Sequence, residues 1–152
     1  MPATGSTLAT IAAGGILGAE ARYGLSVAMP HGAREFPWAT LLINLTGCLL
    51  IGLLMSWLRR QPAAPPLLRP FLSVGVLGGY TTYSTFAVDV QQLLLAHRPL
   101  LALGYLMATV LGGAAAVTLA STLPVGPAAG PPPTIGEPGR AAVPLRPEHD
   151  AR

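Results

Sequence analysis

The run Gly78-Gly79-Tyr80-Thr81-Thr82-Tyr83-Ser84-Thr85-Phe86 interrupts an otherwise apolar stretch between Pro70 and Leu95. No other feature restricts the fold as much. Glycine is a poor helix former, and Thr and Ser hydroxyls offer the backbone competing hydrogen bonds, so the expectation is two half-helices. The first is expected to end near Gly78 and the second to begin around Ser84. The surroundings make this break consequential. Of 152 residues, 51% are hydrophobic and only 10% charged, against about 25% charged in a soluble domain. Apolar stretches at about 7–29, 38–58, 70–95 and 100–123 each meet the roughly 20 residues that span a bilayer core. Irregular backbone at membrane depth is tolerated only where protein covers it or where it lines a watery cavity. The expected fold is therefore an all-α membrane protein of four transmembrane helices, residues 1–123, with the third helix broken mid-membrane.

The charges exclude some functions. The net charge of +3 comes entirely from arginine, scattered through connections and tail without interleaved aromatics, so nucleic-acid binding is not expected. Cys48 is the lone cysteine and reads as a small packing residue. The first stretch has no preceding basic residue and reads as a retained span, not a signal peptide. From Pro124 to Arg152, eight prolines and four glycines in 29 residues predict a disordered tail.

Polar residues inside the spans are the candidates for function. Gly14 and Gly18 give the first span a face for close helix approach. Arg22 reads either as a side chain snorkelling to the interface or as a cation at the mouth of an anion pathway. His31 reads as a solvated loop residue. Asn44 is either interhelical glue or an amide N–H aimed at a passing anion. Asp89 must be paired, interfacial or facing water. Tyr105 and Thr109, four apart, share one face of the last helix.

With four spans, Arg59, Arg60 and Arg69 fall on one side and Arg34 and Arg98 on the other. That near balance gives no strong orientation, so insertion both ways is expected. Four spans are also few to enclose a pathway, which points to a homodimer, parallel or antiparallel.

Gly18-Ala19 with Arg22-Tyr23, then Asn44 with Gly47, then the Gly78 to Phe86 run closely resemble the CrcB/Fluc fluoride channel family, over residues from about 8 to 123. The resemblance implies an antiparallel dual-topology homodimer in the cell membrane, with two fluoride pores and a structural sodium ion at its centre. By the same resemblance the backbone carbonyls of Gly78 and Thr81 hold the sodium, two from each subunit. Tyr83 and Phe86 match the aromatic positions along the fluoride path, Asn44 the amide that meets the ion, Tyr105 and Thr109 the start of a polar track, and Arg22 a vestibule arginine. Two positions depart from the pattern: Tyr83 stands where Phe is usual, and Gly113 where a further hydroxyl would extend the track.

The function so implied is passive fluoride export through a multi-pass membrane channel, with lipid and a second copy of the chain as partners and no enzymatic chemistry. Two other readings stand beside it. A proton-coupled small dual-topology exporter would use Glu20 or Asp89. A non-transporting membrane scaffold would use the Pro-rich tail.

Overall fold

The computed structural model describes residues 4–61 and 63–126, and among these the chain is all helical. The tail beyond Gly126, expected to be disordered, lies outside the described residues. Helix α1 spans Thr4–Ala28 and α2 Trp38–Arg59. A wide-turned π-helical segment, Pro70–Leu77, runs into one turn of α-helix, α3, at Gly78–Tyr80. Helix α4 spans Tyr83–Leu95 and α5 Pro99–Thr122.

Two of these helices, α2 with 22 residues and α5 with 24, are long and apolar enough to cross a membrane. At 1.5 Å per residue they reach roughly 33 and 36 Å, matching a hydrocarbon core of about 30 Å. They are 28% and 17% buried within the chain, whereas the core helix of a soluble protein would be mostly covered. Their outer faces carry Leu42, Leu49, Leu50, Leu103, Leu111 and Leu119, all exposed. Such an apolar surface requires a cover other than water. Helix α1 is 25 residues long, but Gly, Thr, Glu20 and Arg22 dilute its hydropathy. The third helical stretch is divided into pieces too short to qualify singly.

The helices pair as α1 against the π-helical segment and α3, and as α2 against α5, with α4 resting on α5. The first pairing depends on the absence of side chains. A methyl group on Gly14 would lie 2.6 Å from the Phe71 carbonyl oxygen, and one on Gly18 would strike the carbonyl of Val76. Apolar contacts between helices gain little over contact with lipid, so close packing and polar pairs decide the arrangement. The small core of Leu41, Leu93, Ala102 and Tyr105, with Phe36, Phe86 and Val90 around it, ties α2, α4 and α5 together.

The turn from α4 to α5 is a Schellman motif. The Arg98 N–H donates to the Leu93 carbonyl at 2.9 Å and the His97 N–H to that of Leu94 at 3.0 Å. His97 takes the left-handed conformation, φ 57°, that this motif demands, and Pro99 then opens α5. At the far end, Ser56 and Arg59 of α2 donate to the carbonyls of Leu123 and Ser121. Side chains of α2 thus complete the hydrogen bonding of α5.

The interruption in the third stretch falls within the expected interval from Gly78 to Ser84, at the threonines and not at the glycines. Gly78 is helical, φ −66° and ψ −36°, and the helix runs to Tyr80. Thr81 and Thr82 are the extended residues, with ψ 155° and 122°. Gly79 serves packing: a methyl group there would strike the Gly15 carbonyl. The glycines bring α3 onto α1, and the two threonines part from the helix.

Candidate functional site

The extended Thr82 exposes a peptide N–H and C=O that a helix would have satisfied. Asn44 on α2 supplies both partners. Its Nδ2 donates to the Thr82 carbonyl at 3.0 Å and its Oδ1 accepts from the Thr82 N–H at 2.9 Å. One carboxamide thus does what a neighbouring strand would do, and it satisfies the backbone where no water need reach. The second N–H of the amide is not used in this pairing, and Asn44 lines a cavity beside the break.

Helix α4 is then restarted by Thr82 itself. Its Oγ1 accepts from the Thr85 N–H at 3.1 Å, the usual role of an N-cap threonine. Upstream, the Leu77 carbonyl accepts from both the backbone N–H and the hydroxyl of Thr81, at 3.0 and 2.9 Å. Arg22 reaches across from α1, and its Nε donates to the Gly79 carbonyl at 3.1 Å. The guanidinium is therefore turned toward the broken segment, not outward along the helix.

These bonds leave two carbonyls in an unusual state. A helical carbonyl is met by the N–H four residues on. For Gly78 that N–H belongs to Thr82 and is taken by Asn44; for Thr81 it belongs to Thr85 and is taken by Thr82 Oγ1. Both residues also line the cavity. Two backbone carbonyls deprived of their helical partners are the hard oxygen donors that an alkali or alkaline-earth cation prefers. Among the described residues no cluster of three His, Cys, Asp or Glu side chains offers a metal site.

The cavity encloses about 440 Å³ and its walls include Asn44, Thr81, Thr82, Tyr83, Phe86 and Thr109. Cys48, read from sequence as a packing residue, also lines it. Tyr83 is 81% exposed. Its ring lies 6.1 Å from that of Phe86 at 48°, so two aromatic rings stand one after the other beside the break. Thr109 lines the cavity, and its hydroxyl donates to the Tyr105 carbonyl at 2.9 Å. Gly113 is buried against Cys48, whose sulfur would lie 3.1 Å from a methyl group at that position.

Tyr105 is placed differently. It is fully buried, and its hydroxyl donates to Asp89 Oδ2 at 3.2 Å. Thr40 on α2 is a second hydrogen-bonding neighbour. Asp89 is 5% exposed and its other oxygen lies 3.4 Å from His31 Nε2. His31 is therefore not the solvated loop residue expected from sequence. A carboxylate enclosed by helices needs donors, and the first connection and the start of α5 lie close enough to provide them. Asp89's apolar context was the available signal for this pairing.

The matches to known proteins follow this geometry. Residues 9–121 match the family described as "CrcB-like protein, Camphor Resistance (CrcB)". The relative named fluoride-specific ion channel FluC 2 from Thermobifida fusca is 49% identical over 114 residues, covering 75% of this chain and 84% of the relative. The relative of the same name from Nocardia farcinica is 44% identical over 118 residues, covering 78% and 84%. Fluoride-specific ion channel FluC from Pseudomonas putida F1 is 44% identical over 107 residues, covering 70% and 86%.

The chain belongs to the CrcB family. In this CrcB protein Asn44, Tyr83, Phe86 and Thr109 share one cavity with Gly78 and Thr81. Arg22 is joined to that assembly through Gly79, while Tyr105 stands behind Phe86, ring centroids 5.3 Å apart.

Proposed function

We propose that this CrcB protein is a fluoride-selective anion channel of the cell membrane, which releases cytoplasmic fluoride down its electrochemical gradient and so confers fluoride resistance. Hydrogen fluoride crosses bilayers as a neutral acid and dissociates inside, and an anion pore lets the trapped ion leave. One observation carries the reading: Asn44, the aromatic residues Tyr83 and Phe86, and Thr109 line a single cavity at the backbone break. Ring edges are the positive part of the aromatic quadrupole. With the remaining Asn44 N–H they offer a strongly hydrated anion several weak replacements for water, none strong enough to retain it.

In this proposal the break lies at mid-membrane, between two chains in an antiparallel, dual-topology homodimer. The exposed Tyr83 supports a partner at that face, as does the pair of carbonyls on Gly78 and Thr81. Two copies would supply four such oxygens to one sodium ion, whose charge would raise the potential felt by an anion nearby.

The test is fluoride efflux from proteoliposomes with a potassium ionophore present, chloride as competitor, and Asn44→Ala and Phe86→Ile as comparisons. Selective efflux that needs no proton gradient and falls in both variants is the expected result. Efflux that requires a proton gradient and is lost in Asp89→Asn would identify a coupled exporter instead. A role lost on deleting Pro124 to Arg152, with no flux at any stage, would identify a scaffold.

A further inference from the structure

The Pro30 to Pro37 connection reaches the proposed pathway through Tyr105. A second cavity, about 550 Å³, is lined by Met29, His31, Glu35, Phe36 and Trp38 among others. Between the two cavities stands Tyr105. Its ring lies 5.3 Å from Phe86, which lines the first, and 5.5 Å from Phe36, which lines the second, the latter pair edge to face at 83°. The Tyr105 hydroxyl is held by Asp89 and Asp89 by His31. A loop imidazole, a buried carboxylate and a buried phenol thus form one connected row ending on a pathway ring.

We propose that His31 is a positioning residue of this pathway: through Asp89 and Tyr105 it fixes the Phe86 ring, and its proton decides whether the carboxylate behind that ring carries an uncompensated negative charge. The inference rests on the channel reading. With His31 protonated, the Asp89 carboxylate is paired. With His31 neutral, that carboxylate, buried behind Tyr105 and lining neither cavity, has no counter-charge, and its field opposes an anion passing Phe86. The same connection also carries the exposed Arg34, the turn before α5 carries His97 and Arg98, and the last third of α1 carries Glu20, Arg22 and Tyr23. Glu35 faces the same cavity from the loop, where its Oε2 accepts from the Gly32 N–H at 2.9 Å. Helix α5 brings only Tyr105. Helix α4 brings Asp89 itself and, two turns away, Tyr83. The titratable groups of α2 are Cys48, beside the first cavity, and Arg59 at its far end.

The experiment measures fluoride efflux from proteoliposomes of the full-length chain at about pH 6 and about pH 8, a range in which a histidine changes charge. The pH is equal on both sides, and the leak of protein-free vesicles is subtracted. Wild type is expected to conduct several-fold faster at the lower pH. His31→Gln should be flat at the slow rate, His31→Arg fast at both values, and Glu35→Gln should keep the wild-type dependence. A flat wild type, or a dependence that survives in His31→Gln, overturns the inference. The contact has its own readout in the imidazole nitrogen resonance of His31, expected to move in Asp89→Asn and not in Glu35→Gln. An unmoved resonance overturns the inference whatever the flux; a moved resonance with no flux in any variant overturns the channel reading and leaves the contact standing.

Discussion

Replacing Asn44 with alanine removes two hydrogen bonds in one step, at 3.0 and 2.9 Å, both to the backbone of Thr82, which is only 9% exposed. Each orphaned buried group costs about 1–3 kcal/mol. Membrane interiors give values toward the low end, because the unfolded reference also finds partners. The two together come to about 2 kcal/mol or more, which is a factor of about 25 in the opening equilibrium. Hydrogen exchange reads this directly. In Asn44→Ala the amide of Thr82 should lose protection by about that factor. The amide of Thr85 should follow, since Thr82 Oγ1 is its acceptor, while amides in the middle of α2 stay as they were. Asn44→Asp keeps an acceptor for the Thr82 N–H but sets a carboxylate against the Thr82 carbonyl, so it should not restore protection. Exchange at Thr82 within twofold of wild type in Asn44→Ala would refute the claim that this amide holds the break.

Other outcomes follow from the same contacts. Gly18→Ala places a methyl group against the Val76 carbonyl, and backbone cannot yield as a side chain can. A loss of about 1–3 kcal/mol is expected, measured as a lower thermal unfolding midpoint in detergent. His97→Gly relieves an exposed left-handed residue and should raise stability by about 1 kcal/mol, read by the same melt. Tyr83→Phe leaves the ring pair in place and should retain fluoride efflux, so a loss would assign a role to the hydroxyl. Exchanging sodium for a bulky organic cation should lower both the melting midpoint and the efflux rate, and a protein indifferent to the exchange would remove the case for a cation on Gly78 and Thr81.

Much of this arrangement is visible in the sequence, and the remainder has identifiable physical causes. Trp38 and the Arg59-Arg60 pair mark the ends of α2 because aromatic and cationic side chains favour an interface, and the helix runs from Trp38 to Arg59. The Gly14 and Gly18 face is legible because only small residues permit such an approach. What it approaches, the π-helical segment, is not. The break is announced by its hydroxyls and falls inside the interval from Gly78 to Ser84, but which residues open was not legible. Local propensity favours Gly78 and Gly79, whereas the structure spends those on packing and opens the chain where Asn44, 38 residues earlier, can pair with it. His31 shows the same limit. A histidine between Pro30 and Gly32 carries no local sign of a partner, and only the burial of Asp89 creates the demand for one.

A threonine hydroxyl has a single proton, and in Thr109 it is already engaged with the carbonyl one turn back. At rest this hydroxyl therefore has no free donor to offer the cavity that Thr109 lines. In the proposed channel an anion arriving there would have to win the proton from its own helix by rotating the side chain, and would give it back on leaving. The net gain is the small difference between two hydrogen bonds of similar strength, about 1 kcal/mol or less. Such a surface takes hold of an anion late and lets it go early.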